Sequence, residues 1–372
     1  MDVVFITRYS LLHYGGGEKW LISIGNKLKE KSYTVTIFSG GSLPYKLIEK
    51  DDLYKLIKFK YYEISIPKIE FKTFSEHFIN LKYFDCNIIY LQNLLDFNIF
   101  PFIFREENQK LIIGSHGLSL NSKTGKIKRP IFELLAKIYF HKIKNVKIHV
   151  LNSEQYKWYR SLGFKEVYLI PNFVNSKEYL YPKNNDEFIV LFLARIDKQK
   201  GIDLLPEIIK KVLSKNKEIK FYIAGSGRKY YENILRKLEN KYPNNVKYFG
   251  FITGQEKVNI IHKSSLLLTP SRSETGVPTL SIGEALVSGV PFLGSNIVSF
   301  RDLINIYDKK FGWIVDNYNS ESFANKILEI YNYWKNNPNE YFELRKYIAN
   351  KARELFDIDK VVDKFEKVFL KD

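Results

Sequence analysis

The sequence predicts an α/β protein built from two doubly wound domains, each a parallel sheet covered by helices on both faces. Three observations carry this. The 372 residues suffice for about two domains at ~100–200 residues apiece. An apolar strand, a glycine-bearing loop and an amphipathic helix recur at the head of each half. Several strand candidates are near-continuous apolar runs, as expected for parallel strands buried on both faces.

In the first half, Asp2–Arg8 reads as a strand, followed by Gly15, Gly16 and Gly17 and a helix through about Glu30. Further strands are expected at Thr34–Phe38, Asn87–Gln92, Leu111–Ser115 and Val146–Leu151. The run from Ile170 to Asp186 is rich in turn formers and reads as the linker. The second half opens with a strand at Glu187–Arg195, a polar loop, Gly201 and a helix through about Lys215. Strands follow at Ile219–Ala224, Val246–Phe249, Leu266–Thr269 and Pro291–Gly294. Thr279 suits an N-cap, so Leu280 to Ser288 should form a short helix stopped by Gly289 and Pro291. Helices at Glu340–Phe356 and Asp357–Leu370 close the chain. The expected domains are 1–175, 176–355 and a terminal helical segment, 356–372, packing back on the first.

With 45% apolar residues, the composition is that of a globular chain. No apolar run approaches the ~18 residues of a membrane span, and no signal peptide is visible at Met1. The single Cys86 excludes an intramolecular disulfide and any multi-cysteine metal site. A cytoplasmic location is the expectation. The net charge of +17 favours an anionic partner, which could be lipid, nucleic acid or a phosphorylated substrate.

The most informative segment runs from Thr269 to Pro291. It places two carboxylates, Glu274 and Glu284, beside the start of a helix. A helix N-terminus suits a phosphate, and carboxylates suit hydroxyl-rich groups because they only accept hydrogen bonds. Phosphate plus polyol describes a nucleotide sugar. The alternative is a strand–loop–helix with two solvated glutamates. Four further blocks end predicted strands. The glycines at 15–17 admit a close ligand or simply make a tight turn. His116 follows a strand end, where ligands bind in open α/β sheets. Arg195 and Lys200 could both face a diphosphate, or could belong to a solvated basic loop. Gly225 and the Phe249–Ile252 segment offer a glycine turn and an aromatic wall around Phe251, or ordinary core packing.

In this order the blocks resemble the retaining GT-B glycosyltransferases of glycosyltransferase family 4, also called group 1, over nearly the whole chain. The resemblance rests on Gly15–Gly17, Ser115–Gly117, Ile170–Asn172, Arg195 with Lys200 and Gly201, Gly225–Gly227, Phe249–Phe251 and Pro270–Pro291. It implies two Rossmann-like domains facing each other across a cleft, with a nucleotide-sugar donor held mostly by the second. Arg195 and Lys200 would bind the diphosphate, and Glu284 the ribose. Glu274 and His116 would meet the transferred sugar. Gly16 and Gly17 would approach phosphates or acceptor, while Gly225, Phe251, Gly276 and Val277 would complete the donor site. No metal and no cofactor is expected, and the default donor is UDP-glucose.

Two departures stand out. The family separates its paired glutamates by seven residues, whereas nine lie between Glu274 and Glu284, and the family spacing would fall on Gly276. The usual Gly-Gly-Pro-Glu-like turn is replaced by the stretch from Asn296 to Asp302.

The acceptor side is defined by charge alone. Eight Lys or Arg and one acid, Glu133, lie between Ser122 and His149, and Pro130–Ile143 could form an amphipathic helix with a basic end. Such a helix could touch an anionic membrane carrying a lipid-linked acceptor, or pack on the first domain. Carbohydrate acceptors are the wider expectation. A nucleotide-sugar 2-epimerase of the same fold and a transferase acting on modified DNA are the alternatives, although no nucleic-acid-binding signature is present.

Overall fold

The computed structural model describes residues 1–7, 11–13, 15–39, 57–58, 60–63, 86–92, 108–116, 129–130, 133–134 and 146–371. The chain forms two compact units, Met1–Pro171 with Asp359–Asp372, and Asn172–Ile358. The expected basic helix 130–143 lies mostly outside the described residues, as does Gly117.

Among the described residues, the first unit holds seven parallel strands. They are β1 (Asp2–Thr7), β2 (Thr34–Ser39), β3 (Lys60–Glu63), β4 (Ile88–Gln92), β5 (Lys110–Gly114), β6 (Lys147–Val150) and β7 (Val167–Leu169), in the order β3-β2-β1-β4-β5-β6-β7. The second holds six: β8 (Ile189–Leu193), β9 (Lys220–Ala224), β10 (Val246–Gly250), β11 (Leu266–Thr269), β12 (Phe292–Ser295) and β13 (Gly312–Val315). Their order is β10-β9-β8-β11-β12-β13, again parallel throughout. Both are doubly wound sheets, as the apolar runs predicted.

Period-2 alternation explains the burial. In β8, Val190 and Phe192 join one core and Leu191 the other; in β11, Leu266 and Leu268 join the first and Leu267 the second. Helices Leu205–Lys215 and Ser320–Asn336 cover one face with Ile208, Ile209, Val212, Phe323 and Ile327. Helices Gly254–Lys263, Leu280–Val287 and Pro338–Phe356 cover the other with Ile261, Ala285, Leu286, Ile348 and Ala352. With both faces sealed, a ligand can approach only the strand ends. The strand order reverses between β8 and β11, so the loops after these two strands flank the point where open α/β sheets bind ligands.

The chain leaves the first unit after Pro171 and returns at Asp359. There the helix Ile358–Phe365 continues as a wider turn through Glu366–Leu370. Lys27 pairs with Asp359 at 2.8 Å, and Lys31 with Asp363 at 2.7 Å and Glu366 at 2.9 Å. Lys371, Lys31 and Tyr33 bond the Glu366 carboxylate and hold its pKa down at about 2 against its burial.

Candidate active site

In the second unit, the loops after β8 and β11 are stapled into one body. After β8, the Asp197 carboxylate accepts from the Lys200 N–H at 3.2 Å and caps a single turn, Lys198–Lys200. Gly201 then takes a left-handed conformation with φ +77°, and a Cβ there would lie 2.0 Å from the Pro270 carbonyl oxygen. Arg272, after β11, reaches back. Its N–H donates to the Gln199 carbonyl at 2.8 Å, and its guanidinium clasps Asp203 through two bonds of 2.7 Å and also donates to the Lys198 carbonyl. Tyr318 lies under this guanidinium, 4.9 Å from ring centre to Cζ, and donates its hydroxyl to the Pro270 carbonyl at 2.8 Å.

This staple brings Lys200 and Glu274 together. Lys200 Nζ donates to both carboxylate oxygens of Glu274, at 2.6 and 2.8 Å, and the two side chains are only 18% and 10% exposed. Ser299 Oγ donates to the Glu274 carbonyl at 2.7 Å and holds the backbone from the other side. With nine residues before Glu284, the loop carries the Glu274 carboxylate onto Lys200. Arg195 behaves differently: its side chain is 57% exposed and reaches Asp197 at 3.3 Å.

The short helix predicted from Thr279 is present as Leu280–Val287, with Thr279 Oγ1 accepting from the Ile282 N–H at 3.4 Å and Gly289 at φ +72° just past its end. Glu284, in its second turn, receives a 2.6 Å bond from Lys257 Nζ on helix Gly254–Lys263. The Tyr179 hydroxyl also faces Glu284; burial above all, then the Glu284 charge and hydrogen bond, push its pKa well up, so it stays a phenol and a donor. Sequence reasoning missed Lys257 and Tyr179. Each becomes a partner of Glu284 through tertiary contact alone, without a motif to mark it.

Asn172 shapes the loop that leads into this helix. Its N–H donates to the Val277 carbonyl at 2.9 Å and its Nδ2 to the Pro278 carbonyl at 3.0 Å. Gly276 is hydrogen-sized for this reason, since a Cβ would meet Asn172 Nδ2 at 2.4 Å. The Val277 side chain is fully buried in the core. Anything Val277 offers a ligand therefore comes from its backbone N–H.

At the end of β9, Gly225 has φ +137°, and a Cβ would lie 1.8 Å from the Ala194 carbonyl oxygen. The glycine is thus required by packing against the β8 loop, whatever else approaches it. Its carbonyl accepts from the Tyr248 hydroxyl at 3.0 Å and its N–H donates to the Gly250 carbonyl at 2.7 Å. Phe251, which follows Gly250 in sequence, stands 52% exposed just before helix Gly254–Lys263.

In the first unit, Gly16 opens helix Gly16–Glu30, and Gly17 gives its carbonyl to Gln92 Nε2 at 3.2 Å. His116 lies two residues past the end of β5 and is buried. Its Nε2 is 2.6 Å from the Tyr90 hydroxyl, and the Trp20 ring packs 4.2 Å away, centre to centre. Burial first, then the neighbouring His149, hold the His116 pKa well below the usual imidazole range. It is a neutral imidazole at pH 7.

Among the described residues, no group of three or more His, Cys, Asp or Glu is placed to hold a metal ion. None of the described helices is long and apolar enough to cross a membrane.

Residues 179–355 match the family model described as Glycosyl transferases group 1. Over 170 residues the chain is 31% identical to a poly(ribitol-phosphate) alpha-N-acetylglucosaminyltransferase of Staphylococcus aureus (strain COL), covering 45% of this chain and 33% of that protein. Over 205 residues it is 24% identical to a glycogen synthase of Thermosipho africanus (strain TCF52B), covering 53% and 40%. The chain thus spans well under half the length of these curated relatives. The solved structure of Anabaena Alr3699/HepE in complex with UDP superposes with a TM-score of 0.74 at 14% identity, over 100% of both chains. A glycosyltransferase from Rickettsia africae ESF-5 superposes with a TM-score of 0.75 at 16% identity, over 99% of this chain and 97% of that one. These likenesses give the chain the GT-B fold.

Proposed function

We propose, for a GT-B chain whose residues 179–355 are a glycosyl transferases group 1 domain, that the protein is a retaining hexosyltransferase using a nucleoside diphosphate sugar, with UDP-glucose as the first donor to try. The observation that carries the proposal is the placement of two Lys–Glu pairs, Lys200–Glu274 and Lys257–Glu284, beside the Thr279-capped helix at the sheet's switch point. In the proposed reading these pairs supply cations for a diphosphate and carboxylates for hydroxyls.

In this reading Arg195 and Lys200 take the diphosphate and stabilise the charge that develops as it leaves. Arg195 is exposed enough to swing onto a ligand, and Lys200 is presented by a preformed turn. Glu284 accepts from the ribose hydroxyls. Glu274 accepts from the transferred sugar while steering Lys200. The loops at Gly225 and Gly276 and the ring of Phe251 border the nucleotide, with Val277 contributing backbone. For His116 and the Gly16–Gly17 helix start, the resemblance implies contact with sugar and with phosphate or acceptor. The protein supplies the leaving-group stabilisation itself, without a metal.

Support for the donor comes from the Anabaena neighbour, solved with UDP and with UDP-glucose. The acceptor is a hydroxyl on a glycan or a lipid-linked or phosphate-bearing chain; the net charge of +17 favours an anionic one. The same charge supports peripheral association with an anionic membrane face. The test is UDP release from UDP-glucose and UDP-N-acetylglucosamine, with and without glycan and polyol-phosphate acceptors. Acceptor-dependent release that disappears in Lys200→Ala supports transfer, and an epimer formed without acceptor would overturn it.

A further inference from the structure

Tyr90, on β4, places its hydroxyl between two imidazoles, 2.6 Å from His116 Nε2 and 2.8 Å from His149 Nδ1. His149, on β6, has its other nitrogen, Nε2, 3.0 Å from the Ile170 carbonyl oxygen. Room for the hydroxyl comes from Gly114, where a Cβ would lie 2.0 Å from the Tyr90 oxygen. All five residues belong to the first unit.

The direction of every hydrogen bond in this chain follows from its far end. A carbonyl oxygen only accepts, so His149 Nε2 carries a hydrogen. His149 is buried and its pKa is pushed down to about 4, by burial first, with Lys364 acting the same way and the Ile170 bond opposing. It is therefore neutral at pH 7, and Nδ1 holds a bare lone pair. Tyr90 stays a phenol, its pKa raised well up by burial. A phenol has one hydrogen, and His149 Nδ1 takes it. The Tyr90 oxygen can then only accept from His116. The opposite tautomer of His116 would face two lone pairs across 2.6 Å.

We infer that Tyr90 and His149 are positioning residues that lock His116 in its Nε2–H tautomer, leaving Nδ1 as its acceptor nitrogen. Aromatic rings pack around this chain. Trp20 stacks on the Tyr90 ring and packs at a tilt against His116, and Phe365 and Phe369 pack on His149. Lys364 opposes protonation of His149. Any group that meets Nδ1 must bring its own hydrogen.

The full-length protein, labelled with 15N-histidine, provides the test through long-range 1H–15N correlation at pH 7.5. Six histidines give a resolvable spectrum, with His116 and His149 identified by their loss in His116→Asn and His149→Gln. Both should show the neutral Nε2–H pattern, and Tyr90→Phe should move His116 towards a tautomer mixture. An Nδ1–H or imidazolium pattern for wild-type His116 would overturn the inference, as would an unchanged His116 pattern in Tyr90→Phe. If Tyr90→Phe does not fold, the wild-type spectrum decides alone. None of these readouts needs transfer activity. Failure of the transferase reading would show separately, as absent turnover with an intact Nε2–H signature.

Discussion

Lys200 Nζ and Glu274 Oε1 lie 2.6 Å apart although 74 positions separate them in sequence, and neither side chain is more than 18% exposed. The pair joins the loops after β8 and β11, and each member should be worth more with its partner than alone. Lys200→Ala should cut transfer by on the order of a hundredfold or more. It should also lower the unfolding free energy by about 1–3 kcal/mol, because Glu274 is left without its donor. A double-mutant cycle with Glu274→Ala, read by urea unfolding, should return about 1–2 kcal/mol of coupling. Additive losses would remove the pair from the argument.

Lys257 should act through Glu284. Lys257→Met removes the 2.6 Å bond that orients the carboxylate, so the donor KM should rise about tenfold with kcat little changed. In the Glu284→Gln background the same change should add almost nothing. Initial-rate kinetics over a donor series decide the matter, and a kcat effect without a KM effect would point elsewhere.

Two glycines separate strain from collision. Gly250 has φ +71° with nothing near its missing Cβ, so Gly250→Ala should cost about 1–2 kcal/mol of left-handed strain. Gly201 has nearly the same φ but faces the Pro270 carbonyl at 2.0 Å. Gly201→Ala should therefore cost clearly more, and should depress transfer as Lys200 is displaced. Chemical unfolding of both variants supplies the comparison.

Acid should weaken the first unit before its carboxylates titrate. The folded-state pKa of His149, about 4, lies below the ordinary imidazole value of 6.5. Between those values the unfolded chain binds a proton that the folded chain refuses, so stability falls as pH drops through that window and is level above it. The loss is at most on the order of 3 kcal/mol at its lower edge. His116 is shifted in the same direction and adds to the slope. Thermal unfolding from pH 7.5 to 4.5 should show this slope, and His149→Gln should shallow it. An identical slope in the variant would assign it to other groups.

Much of the scaffold could be read from local chemistry. Leu266–Thr269 is a strand with its expected bounds, and Thr279 caps the expected helix, because a buried apolar run and a hydroxyl before a helix state their roles locally. The overlooked strands are short and weakly patterned: Lys60–Glu63 at a sheet edge, Val167–Leu169 at the opposite edge, and Gly312–Val315 beside β12. Sequence order brought out Lys200, Glu274 and His116 on the segments that follow strands, and Glu284 on a helix. It could not bring out Lys257, Tyr179, Tyr90 or His149, whose meaning comes only from what the fold sets against them. Gly225 and Gly276 show the converse, since a glycine read as ligand access also relieves a backbone or side-chain contact.

Arg272 fixes the backbone of the β8 loop at Lys198 and Gln199 and the side chain of Asp203, with Tyr318 beneath it. A flexible pair of loops would have to lose its freedom each time a donor arrived, and that lost freedom would weaken binding by about 0.5–1.5 kcal/mol per immobilised side chain. Here the ordering was completed when the chain folded. Under the proposed function the donor wall is preorganised, with its affinity drawn from folding stability: whatever loosens Arg272 should be felt first as faster donor dissociation.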